Sequence, residues 1–238
     1  KYNIAVLFGG CSPEYSVSLE SAYGVLTHMD RSRFTPVMIG ISRAGDWFYF
    51  QGEPEKIPED SWHNREDCIP AVLSPNRSRH GIFLLKEEGT AFVRIDAAFP
   101  VLHGKNGEDG TVQGAVALAG IPLAGCDTLS SALCMDKDRA HRLAAAAGVR
   151  TPKSVALSRE GSYEKARSFG QRNGYPLFVK PVRAGSSFGV TRVILKEQLA
   201  DALSLAFQYD DTVIVEEAIE GFEVGCAVIG TKTLTVGA

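Results

Sequence analysis

The sequence is short of several things, and each shortage excludes a class of protein. Its 238 residues contain only five cysteines, Cys11, Cys68, Cys126, Cys134 and Cys226, widely spaced and without a CxxC pair. An odd, scattered set of thiols supports neither a disulfide framework nor a zinc site, and it fits a reducing cytosol. Runs of basic residues are missing. The net charge of -3, with both signs interspersed, argues against a nucleic-acid face and against a polybasic membrane patch. Long apolar stretches are missing too. The most apolar segment, Val112 to Cys126, is broken by Gly114, Gly120, Pro122 and Gly125 and is too short to cross a bilayer. The N-terminus enters a strand at once, without a signal-peptide profile. These absences predict a cytoplasmic protein whose partners are small molecules. No internal repeat is present, and the only low-complexity tract is Ala144 to Ala147. What remains, 45% hydrophobic and 22% charged residues, is the composition of a folded chain long enough for one large or two ordinary domains.

The most informative stretch runs from Leu177 to Gly189, LFVKPVRAGSSFG. Leu177, Phe178 and Val179 predict a buried strand that delivers Lys180 to its exit, and Pro181 ends it. The loop Ala184 to Gly189 is built of small residues whose backbone N–H groups can turn toward one point, an arrangement that suits an anion. A second strand is expected from Val190 to Leu195. A lysine at a strand end beside a Gly/Ser flap fits a triphosphate. An ordinary hairpin with a polar turn fits the same residues.

From the beginning, Ile4 to Phe8 reads as a strand, Gly9-Gly10 as a tight turn and Val17 to Met29 as a helix. A dinucleotide fingerprint is absent, since FGGCSPE is not GxGxxG. Glu14 lies at the helix entrance, where a carboxylate is favoured whatever its role, and where its position suggests a place away from the Gly/Ser loop. Strands are expected at Thr35 to Ile41 and Trp47 to Phe50, then an exposed excursion from Gly52 to Glu66. Three short strands of an insertion follow at Ile69 to Leu73, Gly81 to Leu85 and Ala91 to Arg94.

Ala97 to Leu102 predicts another strand, running into HGKNGEDG at His103 to Gly110 and a helix from Thr111. One imidazole, two adjacent carboxylates and three glycines then stand at the carboxyl edge of a sheet, where α/β proteins bind ligands. A structural turn in which Glu108 and Asp109 cap the helix is the alternative. Ile121 to Ala124 reads as the last strand of this unit. Helices are expected at Thr128 to Cys134 and Asp136 to Ala147, with Lys137 near the start of the second. A cation there is unfavourable unless an anion is near, although a solvated surface lysine is equally compatible. Gly148 and Thr151-Pro152 mark a boundary. The module after it has a strand at Ser154 to Leu157 and helices at Ser162 to Arg172 and Lys196 to Phe207. Thr212 to Glu216 is strongly β-forming. The acidic segment to Glu223 reads either as a hinge edge for adenine and ribose or as an acidic turn.

Several of these stretches together resemble the D-alanine-D-alanine ligase family of ATP-grasp enzymes over the whole chain. The resemblance is carried by HGxxGEDGxxQG at His103 to Gly114, FGGxSxExxVS at Phe8 to Ser18 and MDK at Met135 to Lys137. KP with GSSxGV at Lys180 to Val190, and VEE with a later glutamate at Val215 to Glu223, complete it. EYSVS, HGKNGEDG and GCDTLSSALCMDKDRAH look most like the vancomycin-resistance ligases that join D-alanine to D-serine. The resemblance implies an α/β fold, ATP-grasp with an N-terminal Rossmann-like (pre-ATP-grasp) domain at 1–126. A central lid domain would span 127–211, and an incomplete third domain 212–238.

It also implies roles. Lys137 and Lys180 would hold ATP phosphates, with Ser186, Ser187 and the loop amides closing over the last one. The edge from Glu216 would carry the nucleoside, with Glu217 and Ile219 at the adenine and Glu223 at the ribose. Glu14 would take the ammonium of the first D-alanine with His103 nearby, and Ser186 would link Glu14 to a downstream loop. A homodimer and a cell-wall ligase activity on D-alanine and possibly D-serine are implied as well. Mg2+ is implied, but its ligands are expected downstream, since no acidic residue follows Glu223. No metal site is therefore assigned to these residues.

Overall fold

The apolar run near the N-terminus becomes a buried strand next to the edge of a sheet. In the computed structural model, which describes residues 1–230 and 232–237, β1 (Tyr2–Gly9) leads into α1 (Tyr15–His28), β2 (Phe34–Ile41) and β3 (Trp47–Phe50). β4 (Cys68–Leu73), β5 (Gly81–Lys86), β6 (Gly89–Arg94), β7 (Ala97–Pro100) and α2 (Thr111–Leu118) follow. The seven strands form one sheet in the order β6-β5-β4-β3-β2-β1-β7. It is parallel where β1 meets β2 and β7 and antiparallel elsewhere. The three strands expected as an insertion are thus continuous with the main sheet.

Side chains alternate across a strand, so β1 serves two cores. Ala5 and Leu7 pack with Val112 and Val116 of α2, while Val6 and Phe8 pack with Leu19, Ala22 and Leu26 of α1. The neighbours of β1 come from different directions along the chain, which leaves a crevice at its carboxyl end between β1 and β7. The turn after β1 and the loop after β7 meet in that crevice.

Two expectations change here. The excursion from Gly52 to Glu66 is not simply exposed: Trp62 is 0% exposed and Ile57 is equally buried. The indole packs edge-on against Phe8 at 5.0 Å and near Phe50, and it occupies space that any side chain at Gly40 would fill. Trp62 Nε1 donates to the Tyr15 hydroxyl at 2.9 Å, and that hydroxyl donates to Asp60 at 2.7 Å. Burial, and then the bond to Asp60, push the Tyr15 phenol up to about 12. A polar segment with two isolated apolar residues has no periodicity to betray this. The second change is Ile121 to Ala124, which makes only an isolated bridge, Ala98 with Leu123. Pro122 has no N–H to extend the ladder.

The chain continues with α3 (Thr128–Met135), α4 (Lys137–Ala146), β8 (Ser154–Ser158), α5 (Ser162–Asn173), β9 (Leu177–Pro181) and β10 (Thr191–Val193). A single 3-10 turn at 196–198 precedes α6 (Leu199–Ala206), then come β11 (Thr212–Glu217), β12 (Gly225–Ile229) and β13 (Lys232–Gly237). The second sheet is antiparallel in the order β10-β9-β11-β8. β11, the first part of the segment assigned by sequence to a third domain, lies between β9 and β8 in this sheet. Val213 and Val215 are fully buried with Phe169 of α5 and Leu203 of α6. β12 and β13 form a separate two-stranded ribbon. Thr231 and Ala238, also part of the segment 212–238, lie outside the described residues. Among the described residues no helix is long and apolar enough to cross a membrane.

Candidate active site

Glu14 sits where the first sheet's crevice meets the Gly/Ser loop. It is the residue before α1, yet its side chain caps no helix N–H. Instead Ser186 Oγ donates to Glu14 Oε1 at 2.6 Å. The carboxylate is buried, 4% exposed, and pressed against two glycines: a Cβ at Gly104 would collide with Oε2, and one at Gly185 would come within 2.6 Å of Oε1. Gly104 also has a φ of +67°, which favours glycine. The expected place away from the Gly/Ser loop is therefore wrong, because the loop folds down onto the crevice. Among the described residues no cation lies within 4.0 Å of Glu14. A buried carboxylate with one hydroxyl donor is suited to an incoming ammonium.

The loop of His103 to Gly110 is held by its own polar groups. Ser12 Oγ donates to the His103 carbonyl at 2.7 Å and accepts from the Glu14 N–H at 3.1 Å, which ties the two loops together. His103 Nε2 lies 3.1 Å from Ser21 Oγ, and its Nδ1 is 4.0 Å from Glu108. Glu108 accepts from the Gly104 N–H, and Asp109 from the N–H groups of Asn106 and Thr111. Burial opposes the charge of Asp109, yet these donors hold its carboxyl below the usual range. Asp109 thus does part of the capping work anticipated from sequence, while Glu108 closes the loop. His103, Glu108 and Gln113 border a cavity of about 520 Å3 that also reaches Cys134 and Met135.

The neighbouring cavity, about 560 Å3, is walled by Lys137, Lys180, Ser186, Ser187, Glu216, Glu217, Ile219 and Glu223, with Phe178 and Val190. Strand alternation explains the placement. Leu177 and Val179 face the core of the second sheet, so Phe178 and Lys180 face away from it. On β11, Val213 and Val215 face the core, so Ile214 and Glu216 share the face of Lys180. The register sets Lys180 opposite Ile214 and Glu216 opposite Phe178, and Lys180 Nζ reaches diagonally to Glu216 Oε1. Its ammonium also lies 5.0 Å from the Phe178 ring centroid.

Lys137 enters from the first turn of α4. Its Nζ donates to the Ala184 carbonyl at 2.6 Å, at the root of the Gly/Ser loop. Burial, and after it the Lys180 ammonium, push the Lys137 amine below the usual lysine value, against the pull of Glu216, Asp210 and Glu14. Two ammonium groups share one cavity wall, an arrangement that an anion would relieve. The loop itself turns sharply. Ser186 and Ser187 have φ of +45° and +59°, uncommon for residues with a Cβ, and Phe188 N–H closes the turn on the Gly185 carbonyl at 3.1 Å. Arg183 at its root grips Asp210 through its N–H and its guanidinium, and Phe188 packs 6.0 Å from Tyr209 at its far end.

All eight residues expected at a nucleotide thus border one cavity, with Ser186 reaching from it to Glu14. His103 is linked to this pair through Ser12 rather than by its ring. Sequence reasoning passed over His141, one helical turn after Lys137 on α4 and 4.0 Å from Glu216 Oε2. The i,i+4 spacing from Lys137 was the available signal. Among the described residues, no group of three or more His, Cys, Asp or Glu side chains could hold a metal ion.

A family profile described as D-ala D-ala ligase N-terminus matches residues 3–126, and one described as D-ala D-ala ligase C-terminus matches residues 143–238. The chain is 45% identical over 232 residues to the vancomycin B-type resistance protein VanB of Enterococcus faecalis, covering 98% of this chain and 64% of that protein. It is 40% identical to a D-alanine--D-alanine ligase of Thermoanaerobacter pseudethanolicus, with coverage of 98% and 65%. Among solved structures, the VanG D-Ala:D-Ser ligase of Enterococcus faecalis matches with a TM-score of 0.88 and 53% identity, over 100% of this chain and 68% of that one. The D-alanine-D-alanine ligase of Coxiella burnetii matches with a TM-score of 0.85 and 30% identity, over 97% and 65%. The chain therefore spans about two thirds of the length of the relatives it matches.

Proposed function

The chain belongs to the D-alanine-D-alanine ligase family and has its ATP-grasp fold, and on that premise we propose that the intact protein joins D-alanine to a second D-amino acid, driven by ATP. The observation that carries the reading is the hydrogen bond from Ser186 to Glu14, because it joins a cation-lined cavity to a buried carboxylate through a single loop. Lys137 and Lys180 bind the phosphates, and Ser186, Ser187 and the loop amides close over the last of them. Glu217 and Ile219, following Glu216, edge the adenine, and Glu223 takes the ribose. Glu14 receives the ammonium of the first D-alanine, beside His103.

That arrangement brings the D-alanine carboxylate toward the terminal phosphate. The carboxylate oxygen attacks phosphorus, ADP leaves, and an acyl phosphate forms. The amine of the second amino acid then attacks the acyl carbon, phosphate leaves and the amine proton is lost. The residues present contribute positioning and charge neutralisation, as phosphoryl transfer requires. Magnesium would neutralise phosphate charge in such a site, with ligands supplied elsewhere in the intact protein.

The 53% identity to the VanG D-Ala:D-Ser ligase supports D-serine as the second substrate. The chain is read as an N-terminal unit 1–126, a central unit extended through β11, and the start of a third. The family resemblance alone supports a cytoplasmic homodimer, which light scattering of the purified protein tests in its oligomeric part. Phosphate release by the intact protein, with ATP, magnesium and D-alanine plus D-alanine or D-serine, tests the activity. Turnover within the ordinary enzymatic range of about 1 to 1000 per second is expected with D-serine. Nucleotide binding without phosphate release would leave a binding protein in place of a ligase.

A further inference from the structure

His141 has no part in the reaction described above, yet it stands beside that site's buried charge. Glu216 is 5% exposed, and among the described residues its carboxylate has one hydrogen-bonded partner, the Lys180 ammonium on Oε1. Its other oxygen, Oε2, lies 4.0 Å from His141 Nε2. His141 Nδ1 is buried without a partner among the described residues. The same ammonium of Lys180 borders the cavity proposed for the phosphates, so a phosphate bound there draws on the cation that Glu216 uses.

A phosphate that draws Lys180 away leaves a buried carboxylate without a cation, a costly state unless another one replaces it. The imidazole is placed to be that replacement. Its Nε2 needs to approach by about 1 Å to reach hydrogen-bonding distance of Glu216. Protonation creates no additional orphan, because one ring nitrogen lacks a partner in either state. The charged surroundings are limited. Glu216 faces the ring from β11, with Lys180 of β9 behind it. Lys137 lies one turn earlier on α4, and Asp138 on the same helix is engaged by Arg142 at 3.0 Å. Of the other elements packed on α4, β8 carries no titratable side chain and α3 only Cys134.

We infer that His141 is a positioning residue that takes over Glu216 when phosphate draws Lys180 away, so that nucleotide binding takes up a proton from solvent at His141. This rests on the nucleotide reading of the cavity. It predicts a site in which the phosphate-binding lysine is kept in place, when empty, by a carboxylate that has a second cation in reserve.

The test is calorimetric titration of the intact protein with ADP at pH 7, in buffers of different ionisation enthalpy. The native protein should take up a measurable fraction of a proton on binding. His141→Gln should lose that uptake and bind ADP about tenfold more weakly, the lower end for a lost charge-assisted contact. D-Alanine affinity should be unchanged, with thermal unfolding confirming that the variant is folded. An independent readout on the native protein is the His141 C2 proton resonance, which should move toward the protonated position when ADP binds. Buffer-independent binding enthalpy in the native protein, or the same proton uptake in His141→Gln, overturns the inference while leaving the nucleotide site intact. Failure of the native protein to bind ADP at all overturns both.

Discussion

The crevice around Glu14 and the cavity around Lys180 are built on opposite principles. In the crevice, the loops are tied together before any ligand arrives: Ser12 ties His103 to Glu14, Glu108 and Asp109 close their own loop, and two glycines clasp the carboxylate. In the cavity, two ammonium groups lie on one wall, Lys137 is held below its usual value, and Lys180 is paired with the buried carboxylate of Glu216. On the proposed reading, the crevice takes a small zwitterion, which has little binding energy to spend on ordering its site, and the cavity takes a nucleotide, whose several charges can replace provisional pairs. Ser186 is the seam between the two, donating to Glu14 from the loop that lines the cavity.

The largest expected break comes from Trp62→Ala. The indole supports Tyr15, the residue after Glu14, and fills the space over Gly40. Its loss should cost about 3 to 5 kcal/mol in urea unfolding. It should also raise the D-alanine requirement while nucleotide affinity stays put. A stability loss with no change in D-alanine affinity would mean that Glu14 is positioned without this support.

A smaller but more discriminating comparison pairs Lys180→Ala with Glu14→Gln. Lys180→Ala should weaken binding of a non-hydrolysable ATP analogue by about ten- to a hundredfold, the equivalent of about 1.5 to 3 kcal/mol, and leave D-alanine largely alone. Glu14→Gln should do the reverse, apart from a change within about threefold on the nucleotide side through Ser186, since the glutamine oxygen can still accept from the Ser186 hydroxyl and only the charge is lost. Calorimetry with each ligand reads both. If each variant damages both affinities equally, the crevice and the cavity are one site and the contrast between them dissolves.

The smallest effect concerns the root of the connecting loop. Burial opposes the charge of Asp210, but Arg183 and the Thr212 N–H hold its carboxyl below the usual range. A value lowered by folding stabilises fully above the unfolded carboxylate value of about 3.9 and is lost as pH falls through the folded one. Stability should therefore fall on acidification below about pH 4. Arg183→Gln should flatten that part of the profile by under about 1 kcal/mol, since the arginine is half exposed. Thermal unfolding from pH 2 to 6 measures it, and an unaltered profile would show that the Arg183–Asp210 pair at the loop root adds nothing to stability.

What the sequence determined by itself was whatever local physics enforces. β1, α1, β9 and β11 were readable because apolar runs and their periods mark buried faces. The loops at His103 to Gly110 and Ala184 to Gly189 stood out because glycine, serine and charge concentrate where ligands bind. Only the tertiary structure decided the rest. It put Trp62 under a sheet from a stretch with no pattern, and it joined β11 to the second sheet rather than to the ribbon of β12 and β13. It also gave the geometry of the link between Ser186 and Glu14, which only the family resemblance implied across 172 positions, and it brought Glu216 between Lys180 and His141. A local pattern reports the face that a residue presents, whereas a long-range pair depends on register and on the packing of whole elements. No stretch of sequence around Glu14 contains the geometry of the loop that closes on it.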